Sequence, residues 1–127
     1  MAKIKIAQNP TFSADVKIPR VGAEPVAVAF QFRYLDRTAL AKLYDGWNQA
    51  AEEHAKKAKT DGATLEHFTA GQIQLQVEQI KAVVVGWDFD DPFTDENIAD
   101  LVTTCIGAPQ AVLDAYQAAY SPARLGN

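Results

Sequence analysis

The sequence predicts an α+β fold, with an N-terminal β-hairpin or small antiparallel sheet followed by about four α-helices. Three observations lead there. Between residues 12 and 35 apolar residues fall on every second position, the repeat of a half-buried strand. Beyond Asp36 the repeat lengthens to three and four, which places one buried stripe on a helix. Capping residues, prolines and glycines then cut the helical part into segments.

The first strand is expected over about 12–18, where Phe12, Ala14, Val16 and Ile18 alternate with Ser13, Asp15 and Lys17. Pro19, Gly22 and Pro25 punctuate the connection to a second strand over about 26–35, with Val26, Val28, Phe30, Phe32 and Tyr34 on one face. Ile4 and Ile6 suggest a third strand on the strength of two alternating residues.

Asp36 reads as the N-cap of a helix over about 37–59, because its carboxylate can accept free N–H groups of the first turn. Leu40, Leu43, Trp47, Ala50, Ala51 and His54 form its stripe, while Glu52 and Glu53 precede Lys56 and Lys57 by four residues on the solvent side. A second helix is predicted over about 70–86, capped by Thr69, with Ile73, Val77, Ile80, Val84 and Trp87 as its stripe and Gly86 at its end. Val83-Val84-Val85 fits a strand as well, since β-branched side chains favour extended backbone. Thr94, followed by Asp95 and Glu96, caps a third helix over about 95–106. Pro109 opens a fourth over about 109–120, which Pro122 closes ahead of a short frayed tail.

With 127 residues, 48% of them apolar and 22% charged, the chain has the balance of one globular domain spanning 1–127. A formal charge of -4 argues against nucleic acid as a partner, because phosphate binding draws on clustered Lys and Arg. No run approaches the roughly 20 apolar residues of a membrane span. The N-terminal Lys3-Ile4-Lys5-Ile6 lacks the apolar stretch of a signal peptide. A single cysteine, Cys105, forms no internal disulfide and suits a reducing compartment. The expectation is a soluble protein that is not exported.

No catalytic apparatus is legible, and neither a metal site nor a cofactor is expected. The acidic stretch Asp88-Phe89-Asp90-Asp91 lacks the alternating oxygens, central glycine and final glutamate of a calcium loop. It reads as an acidic turn that leads into the third helix. His54 and His67 stand thirteen positions apart with no cysteine near either, and His67 is expected in a loop beside Phe68. Cys105 sits on an apolar helix face with no adjacent base, as an inert thiol does. The two tryptophans, Trp47 and Trp87, fall on helix stripes and are expected in the core. Phe89 and Phe93 lie in the acidic loop, where an aromatic is less easily buried, and are the first candidates for contact with another protein.

Several strings together resemble the tail assembly chaperones of long-tailed bacteriophages and prophages. They are Val16-Lys17-Ile18-Pro19-Arg20-Val21-Gly22, Val28-Ala29-Phe30-Gln31-Phe32-Arg33, Val83-Val84-Val85-Gly86-Trp87-Asp88, Pro92-Phe93-Thr94-Asp95-Glu96-Asn97-Ile98, Ala115-Tyr116, and the terminal Ala123-Arg124-Leu125-Gly126-Asn127. Their order and spacing fit nearly the whole chain. One departure is Gly107-Ala108-Pro109, where the resemblance leads one to expect an aromatic or bulkier residue before the proline.

The resemblance implies a binding protein with no enzymatic activity. Its implied partners are the tape measure protein, which it would keep soluble, and the tail tube protein, whose subunits it would help to gather. A longer form of the chain made by ribosomal frameshifting is a third. The implied place of action is the host bacterial cytoplasm, with the protein missing from the mature virion. A long helical client suggests a helix-in-groove contact. That groove is expected between the helix of Ile73 to Trp87 and the C-terminal helix, with Phe89, Phe93 and Tyr120 at its rim and Trp87 beside them. The alternative is a structural virion component, a minor tail or head-tail joining protein that stays in the particle.

Overall fold

The computed structural model describes residues 10–60 and 62–124, without the side chains of 122–124. The suggested strand at Ile4 and Ile6 lies outside the described residues. Among the described residues the architecture is mixed α+β: a three-stranded antiparallel sheet with four helices, in the order β1 (Thr11–Arg20), β2 (Ala23–Arg33), α1 (Arg37–Ala58), α2 (Leu65–Val83), β3 (Val84–Trp87), α3 (Asp95–Thr104) and α4 (Ala108–Arg124). The strands lie in the order β1-β2-β3.

The hairpin pairs in a register that runs from Thr11 opposite Arg33 to Arg20 opposite Ala23, with an irregularity between Ile18 and Arg20. Pro19 sits at that break and has no N–H to give the ladder. The turn is Val21-Gly22. Only Gly22 carries a positive φ, 69°, a conformation that a Cβ would strain. Even-numbered residues of the hairpin face inward, so Val16, Ile18, Val28, Phe30 and Phe32 are buried while Ser13, Asp15, Lys17 and Gln31 are exposed.

The third strand corrects the expected helix over 70–86. Helix α2 ends at Val83, and Val84–Trp87 pairs with β2, Phe30 opposite Trp87 and Phe32 opposite Val84, across a bulge. Three consecutive β-branched residues and Gly86 favour extended backbone at this point. The helix also starts earlier than expected. Thr64, not Thr69, is the cap, accepting from the His67 N–H at 3.1 Å, so His67 and Phe68 belong to its first turn and not to a loop.

Asp36 caps α1 by accepting from the Ala39 N–H at 2.8 Å, and Thr94 caps α3 by accepting from the Asn97 N–H at 3.1 Å. Helix α3 stops at Thr104, two residues short of the expected 106, and α4 runs from Ala108 to Arg124, through Pro122. The proline removes one hydrogen bond, that to the carbonyl of Ala118, and Ala118 is exposed, so water can replace it.

One core cluster joins the inner face of the sheet to Ile80 and Val83 of α2, Ile98 and Val102 of α3, and Ala108, Val112, Tyr116 and Tyr120 of α4. Helix α4 packs chiefly along β1. The small residues at its start explain the departure at Gly107-Ala108. Ala108 is fully buried, and a Cβ on Gly107 would stand 2.9 Å from Cγ of Pro19. A bulkier residue has no room there. Helix α1 differs from the other three, because it has no buried residue and takes α2 as its main neighbour.

Candidate partner-binding cleft

The two ends of the sheet finish differently. At the end where β1 starts and β2 stops, the Tyr116 hydroxyl donates to the Arg33 carbonyl at 3.1 Å and the Tyr120 hydroxyl to the Leu35 carbonyl at 2.6 Å. Tyr120 stacks on Tyr34 with ring centres 5.1 Å apart. Burial pushes the Tyr116 phenol well above the ordinary tyrosine range, and the neighbouring phenols of Tyr44, Tyr120 and Tyr34 act in the same direction. Tyr120 is only 8% exposed, so the ring expected at the rim of a groove is instead part of the core.

The other three candidate residues come together beyond the end of β3. Trp87 meets the edges of Phe30, Phe89 and Phe93 at 5.9, 5.0 and 5.0 Å, all near perpendicular, the geometry that the ring quadrupoles favour. All three candidates are half-buried against the core. The Trp87 indole N–H donates to the Asp91 carbonyl at 2.8 Å and the Asn97 amide to the Pro92 carbonyl at 2.8 Å. These two bonds hold the acidic loop in its turn. Among the described residues no group of three or more His, Cys, Asp or Glu could hold a metal ion.

Beside Phe89 opens a cleft of about 1040 Å³, enclosed by the tip of the hairpin, the loop after β3 and the link between α3 and α4. Its apolar walls include Ile18, Val28 and Phe89, and Val21, Val26 and Ile106 also line it. Those last three are exposed by 102%, 39% and 89%. They are three of the five exposed large hydrophobic residues among those described, the others being Leu65 and Val85. Such clustering marks a contact surface more than scattered exposure does. Three carboxylates, Asp15, Asp88 and Asp90, also line the cleft, against one guanidinium, Arg20. The Cys105 thiol, which lines it too, donates to the Pro19 carbonyl at 3.2 Å and ties the helix link to the strand. A smaller hollow of about 200 Å³ lies near Trp87 and Phe89, with Asn97 and Leu101 in its lining.

Of the residues that line the cleft, sequence reading reached Phe89 but missed Val21, Val26 and Ile106. A signal existed for two of them. Val21 occupies a two-residue turn and Ile106 a link between helices, positions where polar residues are usual.

The family model for the phage tail assembly chaperone matches residues 1–127. The chain belongs to that family. No curated protein and no solved structure matches it. Membership makes this an assembly chaperone of a phage tail, with tail proteins as its partners. No described helix of the chaperone is long and apolar enough to cross a membrane.

Proposed function

We propose that the protein binds the tape measure protein, keeps that long aggregation-prone chain soluble, and helps to recruit tail tube subunits before leaving the finished tail. The observation that carries this reading is the match of the family model over all 127 residues. An open cleft with spare aliphatic surface supports it, because an assembly chaperone must cover apolar stripes that would otherwise pair with one another. Phe89 contributes at the cleft, Trp87 from behind Phe89, Phe93 from behind Trp87, and Tyr120 only as part of the core that holds α4 in place. A frameshifted longer form of the chain is a further partner, acting beside the short one.

Co-expression tests the reading. With the chaperone present, the tape measure protein of the same phage is expected in the soluble fraction and co-purifies with it; without the chaperone it sediments. Mass spectrometry of purified particles then separates the chaperone from a minor tail or joining protein. Stoichiometric presence in the particle would sink the proposal.

A further inference from the structure

The cleft contains a length of sheet edge. Asp88 donates its N–H to the Ala29 carbonyl at 3.0 Å, which fixes the backbone groups of odd-numbered β2 residues on the side of β3, while Tyr34, donating to the Pro10 carbonyl at 3.0 Å, places the even ones on the side of β1. By that alternation the N–H and C=O of Ala27 and the C=O of Pro25 point to the β3 side. Strand β3 begins at Val84 and ends at Trp87, so among the described residues no strand runs beside Ala27 on that side. Ala27 lines the cleft.

We propose that the cleft takes an extended segment of the tail protein that this chaperone holds, one in which apolar residues alternate with Lys or Arg, added as a strand beside Val26–Val28. This rests on the functional reading above. A strand laid against Ala27 sends alternate side chains to the two faces of the sheet. On the inner face they meet Val28, Phe89 and Ile106. On the outer face Asp15 of β1, Ala29 of β2 and Asp88, the residue after β3, stand in one row, since Asp15 pairs with Ala29 and Asp88 donates to Ala29. Asp90 adds a further carboxylate to the lining. Lys17, paired with Ala27, is two strand spacings from the incoming chain, about 10 Å. Asp88 continues from β3 itself, so a cation on the outer face of the segment lies nearer to it than to Lys17.

The test uses the full chain and immobilised overlapping peptides that tile the tape measure and tail tube proteins of the same phage. Captured peptides are expected to show apolar residues alternating with Lys or Arg. Capture is expected to fall about tenfold or more with Asp88→Lys and Asp90→Lys together. Ala27→Pro is expected to do the same, because it removes an N–H on the β3 side and leaves the pairing with β1 in place. Leu65→Ser, on an exposed residue away from the cleft, should change nothing. An unchanged melting temperature for Ala27→Pro shows that the fold survives; if that variant unfolds, Ala27→N-methylalanine introduced by chemical ligation makes the same deletion of a donor.

Loss with the charge reversals but not with the changes at Ala27 would mean that the occupant is not a strand, and overturns the proposal. Capture of acidic peptides, or capture indifferent to every cleft substitution, overturns it as well while the chaperone reading stands. Self-association of the wild-type chain that Lys3→Glu with Lys5→Glu abolishes would give the cleft to a second copy, and also overturns it. If neither tail protein co-purifies with the wild-type chain, the functional reading itself fails and the proposal with it.

Discussion

The sheet is closed at one end by phenols and open at the other beside aliphatic side chains. Where β1 starts, Tyr116 and Tyr120 insert between helix and strand and give their hydroxyls to the last carbonyls of β2 and its exit. At the hairpin tip, Val21, Val26 and Ile106 line one open cleft with little to cover them. Large rings with a polar tip satisfy both the hydrophobic and the hydrogen-bonding needs of a buried site, so the first end is finished within the chain. Exposed aliphatic side chains satisfy neither. If the cleft is the binding site proposed above, stability and recognition occupy opposite ends of one sheet, and the exposed cleft residues can be altered without much effect on the fold.

The largest effect should come from breaking the closed end. Tyr116→Ala is expected to cost about 3–5 kcal/mol in urea unfolding, since it empties a fully buried site and strands the Arg33 carbonyl. Next comes the joint between hairpin and helix link. Gly107→Ala sets a methyl group against the rigid ring of Pro19 and should cost about 1–3 kcal/mol, with a matching drop in urea midpoint.

Alkaline titration sharpens the comparison further. The folded-state pKa of Tyr116 is raised above its ordinary value of 10.0, so its contribution is fully present below pH 10 and is lost as pH rises beyond that value, while the unfolded chain releases the proton and the folded one retains it. The slope from this one group is at most about 1.4 kcal/mol per pH unit. Melting temperatures measured from pH 9 to 11 should fall more steeply for the wild type than for Tyr116→Phe. The smallest effect belongs to the open end. Val21→Ser and Ile106→Ser should each move stability by no more than about 0.5 kcal/mol, yet reduce co-purification of the tail protein.

Much of this fold is legible in the sequence because local chemistry and tertiary packing agree. Asp36 and Thr94 are caps by residue type and act as caps, and the alternation from Phe12 to Phe32 is the buried face of the hairpin. The strand β3 is harder to read for a geometric reason. A bulge between Gln31 and Phe32 puts Val84 and Trp87, three residues apart, opposite inward-facing partners on β2, and a spacing of three is also that of a helix stripe. The start of α2 escapes for another reason. Leu65, Glu66 and His67 are all exposed, so no stripe begins until Phe68, and Thr64 carries the only sign. The cleft has no local signature beyond apolar Val21 and Ile106 at positions where polar residues are usual. It arises where residues near 20, 90 and 106 meet, and only the pairing of the sheet with α4 brings them together.

Helix α1, 22 residues long without one buried side chain, has a dynamic consequence. Segments open locally at a free energy set by the contacts they give up, and detaching α1 would surrender half-covered side chains such as Leu43 and Trp47 while the central cluster stays intact. Its amide protons are therefore expected to exchange fast in deuterium-exchange measurements, and those around Tyr116 slowest. Such an opening would uncover a second apolar stripe, the face of α2 on which α1 packs.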